Sequence, residues 1–248
     1  MFLDKKMSEI SGLFYLPSEN YFLSICDDKK KVYRLSTSGQ VSDYFPQDLG
    51  ASGDYEDVVK VSHTVYVLRS DGHIVAATQQ QGTGWLQVTD YPFLNSDTND
   101  FESMYYDASA GGLVVLCKSC AHEKGKKQRT AYLFKLDTKQ WDPQPFYIIP
   151  SKAVNDVLKD GRVEFKPSAA AIHPLEKRLY ILASAGHLLV ITDMRGKVQE
   201  VYRLNPGFYP QAEGIAFASN GDMYVTNEAK LGKPTLLRIP YKPSINQK

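Results

Sequence analysis

Three glutamates recur at the head of short apolar runs. They are Glu56 in Asp54-Tyr55-Glu56-Asp57, Glu102 in Asp100-Phe101-Glu102-Ser103 and Glu213 in Ala212-Glu213-Gly214-Ile215. Carboxylates gathered in one place repel each other, and the repulsion is relieved by raised pKa values, by cationic side chains or by a bound cation. A donor set built of oxygens alone suits a hard ion, Ca²⁺ or Mg²⁺. No histidine falls at the aligned positions, so zinc is not expected there. The chain has no G-x-S-x-G elbow, no P-loop and no G-x-G-x-x-G, so the acids are its principal candidates for chemistry.

Residues this far apart in sequence meet only if the fold repeats. Five segments align: Ser11-Gly12-Leu13-Phe14, Glu56-Asp57-Val58-Val59, Glu102-Ser103-Met104-Tyr105, Ser168-Ala169-Ala170-Ala171 and Glu213-Gly214-Ile215-Ala216. Their starts are 45, 46, 66 and 45 residues apart. Each is followed by a second apolar run, such as Tyr66-Val67-Leu68-Arg69 or Tyr224-Val225-Thr226-Asn227. Most units show a third, such as Leu188-Leu189-Val190-Ile191, and several a fourth. A period near 45 with four short strands per unit predicts an all-β fold. The expected architecture is a single five-bladed β-propeller of four-stranded antiparallel blades spanning residues 1–248. Helical repeats share this period, but strands rich in Tyr, Val and Ile, cut by Ser-Gly, Asp-Gly and Asn-Gly turns, argue against them.

The long third interval leaves a surplus around Ser151 to Arg162, where residues 153–158 are expected to form a short helix. The fifth unit has only three strands of its own. An open ring would expose unpaired strand edges. Phe2-Leu3-Asp4 is therefore expected to supply the missing outer strand and close the ring.

Antiparallel connectivity puts the start of every first strand and the end of every second strand at the same end of the channel. That face gathers Glu9, Asp54, Glu56, Asp100, Glu102, Ser168, Gln211 and Glu213 from the first strands. The second strands bring Asp27, Arg69, Lys118, Asn227 and Glu228. Glu56, Glu102 and Glu213 are the candidate metal ligands, with Asp54, Asp100 and Asn227 as further donors. Glu9, Asp27, Arg69, Lys118 and Glu228 complete a channel mouth able to bind a small molecule or a protein. Arg69 and Lys118 are the cations available to offset the acids. In the structural alternative these carboxylates only tie blades together.

Lys plus Arg number 29 and Asp plus Glu 28, so no net field points to nucleic acid. No apolar run approaches the ~20 residues of a membrane span, and Met1 to Gly12 lacks the apolar stretch of a signal peptide. Three cysteines do not make a disulfide framework. Cys117 and Cys120 form a C-x-x-C that supplies only two of the four ligands of a structural zinc site. They read as a local disulfide or as two free thiols near a hairpin.

The same segments resemble the SdiA-regulated family of bacterial propellers. The resemblance rests on Glu9-Ile10-Ser11-Gly12-Leu13, on Asp54-Tyr55-Glu56-Asp57, with Asp57 where the family usually has Gly, and on Asp100-Phe101-Glu102. It continues through Pro167-Ser168 to Ile172-His173-Pro174 and through Ala212 to Ala216 with Tyr224 to Glu228. It implies a periplasmic or cell-envelope protein, without an established enzymatic activity, in which a Cys117–Cys120 disulfide could persist. The leading expectation is a non-enzymatic binding propeller with a divalent cation, Ca²⁺, at the channel mouth. The alternative is a metal-dependent lactonase or esterase. The gluconolactonase group also opens a blade with Glu-Gly and uses acids and Asn around one metal, which Glu213-Gly214, Asn227 and Glu102 resemble.

Overall fold

The inner apolar runs become strands buried on both faces, while the outer strands stay largely exposed. In the computed structural model, which describes residues 1–50, 52–80, 84–159, 163–229 and 232–243, they form five antiparallel sheets. The first blade is β1 (Ile10–Leu16), β2 (Tyr21–Cys26), β3 (Tyr33–Ser36) and β4 (Val41–Asp43). The second is β5 (Tyr55–Val61), β6 (Thr64–Arg69), β7 (Ile74–Gln79) and β8 (Leu86–Tyr91). The third has β9 (Phe101–Asp107), β10 (Gly112–Cys117) and β11 (Gln128–Lys135), then β12 (Gln140–Trp141) and β13 (Tyr147–Pro150), which share the outer edge of β11. The fourth is β14 (Ala169–Ile172), β15 (Leu179–Ala183), β16 (Leu188–Thr192) and β17 (Val198–Arg203). The last has β18 (Ala212–Phe217), β19 (Met223–Asn227) and β20 (Thr235–Ile239).

The core is divided among the seams between blades. In β6, Val65 and Val67 pack with Leu23, Ile25 and Val58 between the first and second blades. Tyr66 and Leu68 turn the other way and pack with Phe101, Met104 and Val115 between the second and third. Side chains alternate across a strand with period two, so one run of apolar residues serves two seams. Separate clusters fill the third–fourth and fourth–fifth seams. A further cluster joins Leu13 and Phe22 of the first blade to Ala216, Tyr224 and Leu236 of the fifth, so the ring is closed.

The amino-terminal segment reaches the open edge of the fifth blade, but through an isolated bridge and not as the full outer strand expected, so the last sheet keeps three strands. Phe2 forms an antiparallel bridge to Thr235. The Leu3 N–H donates to Pro234 O at 2.8 Å, and the Leu236 N–H donates to Met1 O at 3.0 Å. Leu3 is buried in the fifth–first seam beside Met7.

The surplus after the third blade forms α1 (Ser151–Leu158), preceded by Pro150 and ended by Lys159 in the left-handed conformation at φ 55°. Its Val154 is buried in the third–fourth seam. The far end of that surplus, residues 160–162, lies outside the described residues. The five-stranded third sheet departs from the four expected because residues 142–146 separate two short edge strands on β11.

Candidate functional site

Backbone register builds the mouth before any side chain is considered. The N–H groups of Asp27, Ser70, Lys118 and Glu228 donate to the carbonyls of Glu9, Asp54, Asp100 and Gln211, at 3.2, 2.9, 2.8 and 3.0 Å. These eight residues are therefore equivalent pairs in four blades. The carbonyl of Asp27 accepts from the Tyr55 N–H, and that of Ser70 from the Phe101 N–H, which links the first blade to the second and the second to the third.

One step into the channel, the first strands carry an extra residue. Tyr55 pairs with Arg69 and Asp57 with Leu68, leaving Glu56 unpaired. Phe101 pairs with Cys117 and Ser103 with Leu116, leaving Glu102. Ala212 pairs with Asn227 and Gly214 with Thr226, leaving Glu213. All three candidate ligands are thus bulged residues. A bulge bends its strand and re-aims the side chain it carries. Here the three carboxylates turn into a cavity of about 290 Å³, also lined by Glu9, Asp27, Asp54, Lys118, Gln211 and Glu228.

The remaining register positions explain how the bulges are held. In the first blade the extra residue is Gly12, at φ +55°, and a Cβ there would lie 2.8 Å from the Asp57 Cα. Asp57 is buried, and its carboxylate accepts from its neighbour Val58 N at 2.8 Å and from Met104 N, across the seam, at 2.7 Å. In the fourth blade Ser168 replaces the acid, and its hydroxyl donates to Ala212 O at 2.7 Å. The tethering role of Asp57 was not anticipated from sequence. Its only signal there is a carboxylate where the family usually has Gly.

The electrostatics of the mouth follow from crowding seven carboxylates and one lysine around a small cavity. Burial, then the charges of Asp54 and Asp27, push the Glu56 carboxyl up to about 9. Burial raises Glu213 to about 7, against the pull of Lys118 and hydrogen bonds from Ser184 and Gln211. Asp27 rises to about 6, through burial and then Glu9 and Asp54. The Lys118 ammonium pairs with one oxygen of Glu102. The other oxygen of Glu102 is buried with no hydrogen-bond partner, and the residue is only 8% exposed. An unpaired carboxylate oxygen removed from water is costly, which marks it as a position for a cation.

One set of three acids among the described residues brings an oxygen each within 4.8 Å of the others: Glu9, Asp27 and Glu228. Glu9 and Asp27 belong to the first blade and Glu228 to the fifth, so this group sits on the seam that closes the ring. Glu228 also accepts from the Gln211 side chain. Glu56, Glu102 and Glu213 share the cavity but are not such a set.

Three expected residues lie elsewhere. Arg69 bonds Asp71 at 2.6 Å and approaches Asp90 at 3.5 Å, so it does not neutralise the mouth. Asn227 donates to Phe208 O at 3.3 Å and Thr235 Oγ1 at 2.9 Å, away from the cavity. Both stand one residue before the equivalent mouth positions, Ser70 and Glu228. Alternation therefore sends them to the opposite face of the strand. Asp100 contributes its carbonyl to the register. Its carboxyl, raised by burial and drawn back by Lys118, does not line the cavity.

Cys117 and Cys120 are joined as a disulfide with Cα atoms 6.0 Å apart. Cys26 is free and buried, and burial pushes its thiol up to about 12.

The sequence matches the SdiA-regulated family over residues 3–231, and the chain belongs to that family. Its fold is shared with distant proteins. A glutaminyl cyclase from Myxococcus xanthus superposes with a TM-score of 0.60 at 14% identity, over 96% of this chain and 95% of that one. A calcium-binding protein, regucalcin, from Agrobacterium tumefaciens gives 0.58 at 13%, over 93% and 86%. A luciferin-regenerating enzyme gives 0.55 at 11%, over 93% and 91%. At these identities the likeness is one of fold.

Proposed function

We propose that this member of the SdiA-regulated family is a binding propeller of the cell envelope that holds a divalent cation, Ca²⁺, in the mouth of its channel. The observation that carries this reading is the buried, unpartnered oxygen of Glu102 in a cavity lined by six further carboxylates. Glu9, Asp27 and Glu228 have the spacing to share one ion, while Glu56, Glu102 and Glu213 supply further carboxyl oxygens around it. A hard cation accepts six to eight oxygens at ~2.3–2.6 Å, and a mouth built from separate blades offers them without strain on any one strand. The likeness to a calcium-binding propeller agrees with the choice of ion.

The hydrolase reading is weaker, because the amide it requires, Asn227, does not line the cavity. The cell-envelope setting is supported by the Cys117–Cys120 disulfide, a bond that persists in oxidising compartments.

Titration calorimetry with Ca²⁺ on the chelator-stripped protein tests the reading, paired with a lactone and ester screen. Binding without turnover is expected, weakened in Glu102→Gln. Turnover that depends on the metal would instead establish the hydrolase.

A further inference from the structure

We propose that the Cys117–Cys120 disulfide is a redox latch that holds Lys118 against Glu102 and so sets how much of the mouth's negative charge a cation can use. The use by a cation rests on the reading of the mouth given above, whereas the latch itself does not.

The bond encloses very little chain. Only Lys118 and Ser119 lie between the two cysteines, and the N–H groups of both donate to Asp100 O, at 2.8 and 3.0 Å. Cys117 pairs with Phe101 at the bulge that turns Glu102 inward. Disulfide, bulge, lysine and acid are thus one unit of about eight backbone positions. Within it, Lys118 is the one cation that lines the cavity among the described residues, and its partner is Glu102. Its charge reaches further, drawing down the carboxyls of Glu56 in the second blade, Asp100 in the third and Glu213 in the fifth.

A cation entering the mouth competes with this ammonium for Glu102 and is repelled by it. Fixing Lys118 therefore weakens cation binding, and releasing it strengthens binding. Reduction provides the release. A dithiol thiolate attacks Sγ of Cys120, which belongs to the more exposed of the two residues, at 6% against 0% for Cys117. Cys117 leaves and is protonated, and the second thiol of the reductant resolves the mixed disulfide. Two electrons and two protons pass to the protein, giving two thiols, and the dithiol becomes its own disulfide. The four-residue segment then loses its covalent closure, and the lysine keeps only noncovalent restraints, the two hydrogen bonds to Asp100 O and the ion pair with Glu102.

The experiment compares oxidised and dithiothreitol-reduced protein in two measurements. The first is the rate at which Lys118 is acetylated by a small anhydride, read by mass spectrometry without metal. The second is Ca²⁺ affinity by calorimetry, on wild type, Lys118→Met and Cys117→Ala/Cys120→Ala. Reduction is expected to raise Lys118 labelling. It should also tighten Ca²⁺ binding about fivefold, equivalent to ~1 kcal/mol. The double alanine variant should match the reduced protein, and in Lys118→Met reduction should no longer change affinity. Equal Lys118 labelling in both states would overturn the latch, as would an unchanged Ca²⁺ affinity in a protein that binds the ion. Faster labelling with no Ca²⁺ binding in either state would uphold the latch and remove the cation reading instead.

Discussion

Glu56, Glu102 and Glu213 reach the channel because each is the unpaired residue of a bulge. Their shared position was legible in the sequence from the repeat alone, since equal offsets in a ring become neighbours in space. The bulges were not, because an extra residue leaves no mark in a single strand's composition. The same single-residue scale separates Glu228 from Asn227 and Ser70 from Arg69, where one step reverses the face. Protonation follows from this crowding. Glu56, with an ordinary value of 4.5 raised to about 9, binds a proton in the folded chain that the unfolded chain gives up. Its contribution to stability is then fully present below pH 4.5 and is lost as the pH rises through about 9. Glu213, raised to about 7, acts in the same direction over a narrower window. Thermal midpoints in chelator should accordingly fall between pH 5 and 9, and Glu56→Gln should flatten the decline. A midpoint that climbs steadily over that range would contradict the assignment. Asp57 offers a second test at this scale, since Asp57→Ala strips the Met104 N–H of its acceptor. A cost of about 1–3 kcal/mol in chemical denaturation is expected.

Strands and their ends set the next level. The repeat identified the strands because apolar runs with period-two packing serve two seams at once, as Val65, Tyr66, Val67 and Leu68 do in β6. It was less informative at the outer edges. Four of the six residues of β8 are exposed and carry little apolar signal, and the short β12 was not separable from the turn beside it. The closing segment was legible for a different reason, because a fifth blade with three strands leaves an edge that needs a partner, although it meets that edge in a single bridge. Removing residues 1–4 takes away the Leu3–Pro234 and Leu236–Met1 backbone bonds and empties the place of buried Leu3. A loss of about 3 kcal/mol is expected, seen as a fall of at least about 5 °C in the melting midpoint. Phe2→Ala, at a side chain 71% exposed, should leave the midpoint within about 1 °C of wild type. If truncation proves as silent as that control, the segment does not hold the ring shut.

Across the whole molecule, five seams of core close a ring whose net charge is only +1, yet one end of its channel gathers seven carboxylates. Composition hides such a site, because the balancing lysines and arginines are spent elsewhere, Arg69 on Asp71 and Arg238 on Asp222 among them. Symmetry reveals it, since the excess lies at equivalent positions of successive blades. A cation bound there would bridge blades one and five through Glu9, Asp27 and Glu228, and so act on the ring as a whole. Binding only to the closed ring stabilises it, by ~2.7 kcal/mol at a hundredfold excess over the dissociation constant. The most direct measurement is the thermal midpoint at pH 7.5 in Ca²⁺ and in EDTA, for wild type and Glu102→Gln. Ca²⁺ is expected to raise the wild-type midpoint by about 5 °C or more, and to raise the variant's by less. Identical wild-type midpoints in calcium and chelator, with no calorimetric heat of binding, would contradict it and leave the acids as ties between blades.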